Sequence, residues 1–439
     1  MTDATTDAAS PADAARTDGP SRRPSRAGAD PAAPSRLPGG GDSPAETCDV
    51  LVVGAGPAGI ACAREAARAG ASVVLIDSSG LPRHKSCGGM LNEYAESFLS
   101  RQFGPLPRGM VREPEWVHFR YYDWDREIKK PCSLRFHNVD RAAFDEWVLD
   151  AGLGGLPGVR VWDHTRFASC DQDASGVTAR LRRGNRRIEV RCRYLVGADG
   201  ARSAVRSSHP GWPQTSCYAT VQEFVRIEPG SVEPFFDCLY TRHVGGSYGY
   251  GYIVPKGDEA IVGSVLYPGA RDIMAAHERA LRTYALRYPL GEPIRREAGV
   301  AIQVRGLSDV VSGQGRVLMA GEGAGIMSPS SGEGISFALN SGRLAGAAIV
   351  GALGGPDLPA PEGTGARRTR HTSVARGAGA QGGPVAPSAA LAAYDRSLES
   401  IRGSIAVRLR FFPVMNSGWG KWLGGCMPTA LISRITEHL

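Results

Sequence analysis

The residues whose types and spacing are suited to chemistry begin at Gly54-Ala55-Gly56-Pro57-Ala58-Gly59, which fits G-x-G-x-x-G. A chain with 57 glycines produces such matches by chance, so the surroundings decide. An apolar run at 49–54, DVLVVG, enters the pattern, and an alanine-rich stretch at 58–69 leaves it. Asp77 ends the next apolar run, SVVLI at 72–76. This order predicts strand, tight turn, helix and second strand, the unit that binds a dinucleotide. Gly54 permits the turn, Gly56 lets backbone approach a pyrophosphate, and Gly59 lets helix and strand pack closely. The helix start offers unpaired N–H groups and a positive dipole end to phosphate. Asp77 is placed to accept hydrogen bonds from the adenosine ribose.

Two further glycine-acid turns follow apolar runs. Leu195-Val196-Gly197-Ala198-Asp199-Gly200 precedes Arg202, Ser203 and Arg206; Val317-Leu318-Met319-Ala320-Gly321-Glu322-Gly323-Ala324-Gly325 precedes Pro329 and Gly332-Glu333-Gly334-Ile335. A nicotinamide dinucleotide needs one such turn. The pyrophosphate, ribityl chain and ring of FAD need several strand ends, so the expected cofactor is FAD, with Asp199, Gly321 and Glu322 beside it. Glu322 is placed to accept ribityl hydroxyls, and a helix starting near Gly334 aims its positive end at the flavin ring, favouring the anion formed on reduction. No second G-x-G-x-x-G entered by an apolar run is present for NADPH, the match at 377–382 lying within the loose segment 354–390, so NAD(P)H and ferredoxin both stay open as electron donor.

The elements that must position these residues read as mixed α/β. The expected fold is a Rossmann-like FAD-binding domain with an inserted antiparallel β-sheet substrate domain and C-terminal helices. Residues 47–105, 135–210 and 300–353 are assigned to the FAD-binding domain. Residues 106–134 and 211–299 are assigned to the substrate domain, because 116–139 alternates around a polar turn near 123–125 and 217–266 is rich in aromatic and β-branched types. The stretch 161–169 reads as one strand. Residues 1–46 and 354–390 are rich in Ala, Pro, Gly, Ser and charge and are expected to be disordered, the second as a solvated insertion despite Arg367, Arg368 and Arg370. Residues 391–439 read as helical, mixing Arg408, Arg410, Phe411, Phe412, Trp419 and Trp422.

Composition narrows the class. With 42% hydrophobic and 22% charged residues the chain reads as globular, and no continuous apolar stretch is long enough to span a bilayer. The N-terminus lacks the apolar core of a secretory signal, which sets a cytoplasmic location as the expectation. The nine cysteines form no C-x-x-C pair or zinc cluster, so free thiols and no metal are expected. A net charge of +7 accommodates an anionic cofactor or a membrane surface, and the Arg-aromatic C-terminus allows peripheral membrane contact; no motif supports nucleic acid. Oligomeric state is not legible. Trp116, Trp124, Trp147, Trp162 and Trp212 read as packing residues, and His84 as a loop residue.

The chain resembles the geranylgeranyl reductase family, within the flavoproteins related to p-hydroxybenzoate hydroxylase, over roughly 49–353. The most specific piece is Pro82-Arg83-His84-Lys85-Ser86-Cys87-Gly88-Gly89, similar to the family's P-x-x-K-x-C-G-G element beside the flavin. Tyr250-Gly251-Tyr252-Ile253-Val254-Pro255, with Gly263 beyond it, is similar to the family's aromatic-x-Trp-x-Phe-Pro…Gly-x-Gly signature over the substrate cavity. Asn138-Val139-Asp140-Arg141 matches a third element, with Arg141 at a flavin-contacting position. The resemblance implies FAD-binding roles for Ala58, Asp77, Cys87, Gly88, Met90, Arg141, Phe167, Glu322, Gly334 and Ile335. Tyr252, Val254 and Val265 stand where the family has Trp, Phe and Gly, and Glu322 where it has Asp.

What the resemblance implies chemically is reduction of a carbon–carbon double bond in a prenyl or other hydrophobic substrate. Cys87 is then a candidate proton donor, since an ordinary thiol, with pKa about 8.5, is protonated at pH 7. Tyr252 joins it as a catalytic candidate; Lys85, Tyr250, Tyr252 and Pro255 are the candidate substrate contacts. The alternative is a flavin monooxygenase or halogenase acting on a natural-product intermediate, since 249–255 also resembles the halogenase G-W-x-W-x-I-P pattern with tyrosines for tryptophans.

Overall fold

Runs of buried Val, Leu and Ile form the inner strands of one sheet, and alternating runs form a second. The computed structural model describes residues 46–83, 85–123, 125–240, 249–266, 272–354 and 388–438. The first strands are β1 (Glu46–Val53), β2 (Val73–Ile76), β3 (Met90–Leu91), β4 (Val111–Asp123), β5 (Ile128–Val139), β6 (Val159–Trp162), β7 (Thr165–Gln172) and β8 (Val177–Arg183). Then come β9 (Arg186–Gly197), β10 (Ser216–Arg226), β11 (Phe235–Tyr240), β12 (Gly249–Pro255), β13 (Glu259–Leu266), β14 (Pro293–Gln303), β15 (Gly313–Gln314) and β16 (Val317–Met319). The helices are α1 (Pro57–Arg68), α2 (Glu93–Gln102), α3 (Arg141–Leu153), α4 (Ala204–Ser207) and α5 (Ile273–Ala285). They continue with α6 (Ile335–Leu353), α7 (Ala389–Ser397), α8 (Glu399–Asn416), α9 (Gly418–Cys426) and α10 (Thr429–His438).

The first sheet runs β15-β16-β9-β1-β2-β6, with the β7–β8 hairpin attached to β9. β16, β9, β1, β2 and β6 are parallel, so their carboxyl ends face one side. Val50, Leu51 and Val52 are wholly buried, as expected of a parallel strand covered on both faces. Helix α6 is apolar and long enough to cross a membrane, but half of it is buried in the fold. Its Gly342 and Gly346 lie so near α1 that a Cβ would stand 2.0 Å from the Ala58 carbonyl oxygen and 2.8 Å from that of Cys62.

The second sheet runs β14-β10-β13-β12-β11-β4-β5-β3. Its two faces follow the two-residue period of a strand. Ile253, Val262, Leu239 and Val225 pack with Ala280 and Tyr284 of α5. Tyr252, Val254, Phe224 and Ile261 point the other way, joined by half-buried Met90, Phe119, Phe136, Phe236 and Tyr250. The architecture is therefore mixed α/β, a Rossmann-like sheet with an inserted second sheet.

Some elements differ from expectation. The stretch 161–169 is two strands, because His164 takes a left-handed conformation (φ 47°) and turns the chain from β6 into the β7–β8 hairpin. Strands of the second sheet run past the expected bounds, β5 to Val139 and β14 to Gln303, and Met90–Leu91 pairs with β5. Glu46 opens β1, Gly354 caps α6, and Ser388 caps α7, so the expected loose segments are ordered at these margins. Their remainder, with Arg367, Arg368 and Arg370, lies outside the described residues, as do His84 and Trp124. Trp162 and Trp212 are buried, Trp116 stacks on His137 at 4.4 Å, and Trp147 packs near Phe103 and Phe144. All nine cysteines are free.

Candidate functional site

Register brings the three glycine turns together. Val53 of β1 pairs with Gly197 of β9, and Gly197 with Met319 of β16, so the turns after them leave the sheet side by side. Gly54 is left-handed (φ 106°), and a Cβ on it would lie 2.4 Å from the Ala198 carbonyl oxygen. On Gly59 a Cβ would lie 1.8 Å from the Gly54 carbonyl oxygen, and on Gly321 2.8 Å from the Ala58 Cβ. Backbone thus touches backbone at Gly54 and Gly59, and at Gly321 it meets the methyl of Ala58. Helix α1 starts at Gly56 with no side-chain cap and with Pro57 in its first turn, so its leading N–H groups face outward as a ready anion site. This uncapped, glycine-lined cradle fits the pyrophosphate of FAD.

Asp77 braces the cradle. Its Oδ2 accepts the Ala55 N–H at 2.9 Å and its Oδ1 the Ser79 N–H at 2.9 Å, leaving lone pairs for a ribose. Asp199 differs from expectation. Its carboxylate accepts from Ser203 Oγ and from the N–H groups of Ala204 and Val205, capping α4, so it shapes the second turn from behind.

Residues 82–83 and 85–90 cross the site, and Arg83, Lys85, Ser86 and Cys87 each meet a different element. Arg83 reaches toward Gly56, its guanidinium 2.7 Å from where a Cβ there would sit, and its Nε is 3.8 Å from Asp77. Lys85, expected on the substrate, donates to Glu322 Oε2 at 2.8 Å, and Glu322 Oε1 accepts the Ile302 N–H at 3.1 Å. Ser86 donates to Gln222 Oε1 at 2.7 Å, and Gln222 Nε2 donates to the Tyr252 hydroxyl at 2.5 Å. Cys87 Sγ accepts the Gly89 N–H at 3.5 Å and faces Arg141, whose Nε is held by Asp145 at 3.0 Å. A Cβ on Gly88 would lie 3.1 Å from Met90 Cε. Gly89 is left-handed (φ 63°), with a Cβ 2.2 Å from the Val139 carbonyl oxygen.

Electrostatics corrects the reason for choosing Cys87. Burial pushes its thiol up, but the Arg141 charge, the Gly89 N–H and the Lys85 charge outweigh it and hold the pKa below the ordinary value. The thiol is more acidic than assumed. Beside it lies a residue that the sequence reading missed. Lys256, buried, donates to the carbonyls of Gly89 and Val139, both at 3.0 Å, and burial pulls its pKa down to about 7. Burial pushes the Tyr252 hydroxyl up, so it keeps its proton and serves as a hydrogen-bonding group.

Gly334 does begin α6, with Ile335 in the first turn, but the helix end is not bare. Glu333 accepts the Ser336 N–H at 2.8 Å and the Ser336 hydroxyl at 2.8 Å, and burial pushes its pKa up. Tyr250 and Tyr252 lie 6.3 Å apart between ring centroids on the aromatic face. The Tyr252 ring packs across Gly263, its partner on β13; a Cβ there would be 2.0 Å from Cζ. Pro255 is buried with its carbonyl tied to Asn138 at 2.9 Å, so it anchors the strand end. Phe167 sits on the β7–β8 hairpin, opposite Leu181 and just before a bulge. Arg83, Ser86, Gln222 and Lys256 had no assigned role in the sequence, and nothing local to Lys256 signals its burial, which comes from the distant Gly89 and Val139 carbonyls.

Residues 49–201 match the family model described as FAD dependent oxidoreductase. The Escherichia coli O9:H4 (strain HS) protein CbrA is 26% identical over 313 residues, covering 70% of this chain and 82% of that protein. A geranylgeranyl bacteriochlorophyll reductase-like structure from Thermoplasma acidophilum aligns with TM-score 0.64 at 18% identity, covering 90% of this chain and 91% of the other. OxyS anhydrotetracycline hydroxylase from Streptomyces rimosus aligns with TM-score 0.60 at 17% identity, covering 89% and 73%. At these identities the structural likenesses speak to the fold alone.

Proposed function

Given that the chain is a FAD-dependent oxidoreductase, we propose that it reduces a carbon–carbon double bond of a prenyl-type hydrophobic substrate lying along the aromatic face of the second sheet. Bound and reduced, FAD supplies the hydride, and NAD(P)H or ferredoxin supplies its electrons. Gly54, Gly56, Ala58, Gly59 and Asp77 would hold the adenosine diphosphate part. Cys87, Gly88, Met90, Arg141, Gly321, Glu322, Gly334 and Ile335 would hold the rest.

The chain's own task is the proton. An isolated alkene accepts hydride poorly, so one carbon must be protonated early while hydride completes the other. A donor to carbon must be acidic yet protonated at the working pH. A thiol drawn below its ordinary value suits this, and Arg141 with the Gly89 N–H stabilises the thiolate left behind. Because the donor must be protonated, the rate falls as pH rises through the lowered Cys87 value. Tyr252, fixed through Gln222 to Ser86, orients the substrate against the same loop.

The observation that carries this reading is that Cys87 faces the half-buried Arg141 and interacts electrostatically with Tyr252, in the loop that leads to Met90 of the aromatic face. FAD-loaded protein, reduced with dithionite under nitrogen, should reoxidise on adding a prenyl substrate and yield product heavier by two hydrogens per bond reduced. Cys87→Ser should lose at least ~10²-fold in rate while keeping its flavin. The second reading rests on the halogenase-like pattern at 249–255. Turnover that requires O2 and leaves oxygen or halogen in the product would put it in place of the first.

A further inference from the structure

We propose that α8 and α9 dock the protein on an anionic lipid surface, with Phe411, Trp419 and Trp422 entering the headgroup region. Ten large apolar side chains are exposed among the described residues, and five of them, Val407, Phe411, Trp419, Trp422 and Leu431, fall within 407–431. Val407 and Phe411 are four apart on α8, and Trp419 and Trp422 three apart on α9, so each pair shares one side of its helix. Trp419 is 64% exposed and Trp422 54%. An indole ring has an apolar body and an N–H edge, which suits the boundary between acyl chains and headgroups.

Charge selects the occupant. Between Glu399 and Glu437 the sequence carries Arg402, Arg408, Arg410, Lys421 and Arg434 and no acid. Arg410 and Arg434 are exposed. A second copy of the chain on this surface would bring like charge against like; an anionic leaflet brings the complement.

The surface adjoins the site. Arg126, in the β4–β5 turn, donates to the Trp422 carbonyl at 3.1 Å, and Lys130 of β5 donates to that of Met427. β4 and β5 are the strands that present Phe119 and Phe136 to the aromatic face. At the other end Arg408 lies over the Phe337 ring at 5.5 Å, in the first turn of α6. A substrate leaving the bilayer there emerges beside the aromatic face. Docking itself does not depend on which flavin reaction operates; only this delivery rests on the reductase reading.

The test is sedimentation of the full FAD-loaded chain with phosphatidylcholine vesicles, with and without about one-third phosphatidylglycerol. Binding should be at least about tenfold stronger to the anionic vesicles and should weaken as salt is raised. The Trp419→Ser/Trp422→Ser variant should lose about tenfold while keeping its flavin content and circular dichroism. Arg410→Glu/Arg434→Glu, which leaves the aromatic residues in place, should lose the preference for anionic vesicles. Equal binding to neutral vesicles, or anionic binding that both variants retain, overturns the proposal. So does a dimer in light scattering that the tryptophan variant abolishes, which would assign the surface to a second copy.

Discussion

The strand-end cradle of the first sheet and the aromatic face of the second meet along one loop, yet sequence controls them differently. In the cradle, backbone presses on backbone: carbonyls stand where any side chain on Gly54 or Gly59 would have to be. On the aromatic face, side chains press on side chains, and the tight contact at Gly263 is with the ring of Tyr252. A backbone contact admits one residue type. A ring contact admits whatever pair fills the space, so Tyr can stand where the signature it resembles has Trp. The cradle should therefore resist change, and the face should tolerate it while changing what it accepts.

At neutral pH the largest effect should come from Gly59→Ala. With the Gly54 carbonyl 1.8 Å from the new Cβ, helix and turn must part, at about 3 kcal/mol in urea midpoints and with loss of flavin from the purified protein. Lys256→Met probes the junction of the two regions. The lysine's folded value of about 7 lies below its ordinary 10.5, so between them the folded protein has released a proton that the unfolded chain keeps. Stability then rises with pH, and the wild type should gain on the variant by up to about 1.4 kcal/mol per pH unit above pH 7. An unchanged difference from pH 7 to 10 would remove Lys256 from the site's electrostatics. Gly263→Ala should cost about 2 kcal/mol by displacing the Tyr252 ring, with flavin content intact and substrate preference altered. Smallest is Tyr252→Phe, which takes the acceptor from Gln222 Nε2 at about 1 kcal/mol and leaves flavin content unchanged. Should Gly263→Ala empty the protein of flavin while Gly59→Ala does not, the contrast between the two regions is wrong.

Legibility followed the same division. Gly54, Gly59 and Asp77 could be read because spacing along a strand, turn and helix fixes where each must go. The β character of 217–266, β12 included, could be read because aromatic and β-branched residues favour strands. Asp199 could not: its glycine-acid spelling matches that of 321–322, and only the Ser203 three residues beyond Gly200 hints that its carboxylate caps a helix. Lys256 resembles any solvated lysine after a proline, and its burial comes from the Gly89 and Val139 carbonyls, brought from distant parts of the chain. The acidity of Cys87 was hidden for the same reason, since Arg141 arrives from the start of α3.

The contact of α6 with α1 through Gly342 and Gly346 acts as a ruler. It joins the helix that opens at the phosphate turn to the helix that opens at 335, and it does so through main-chain atoms that have no rotamers to relax. The two half-sites of an elongated guest are therefore held at one separation before it arrives. Flavin mononucleotide and adenosine monophosphate, offered separately, should bind far more weakly than their joined form, because only the joined form uses that preset span.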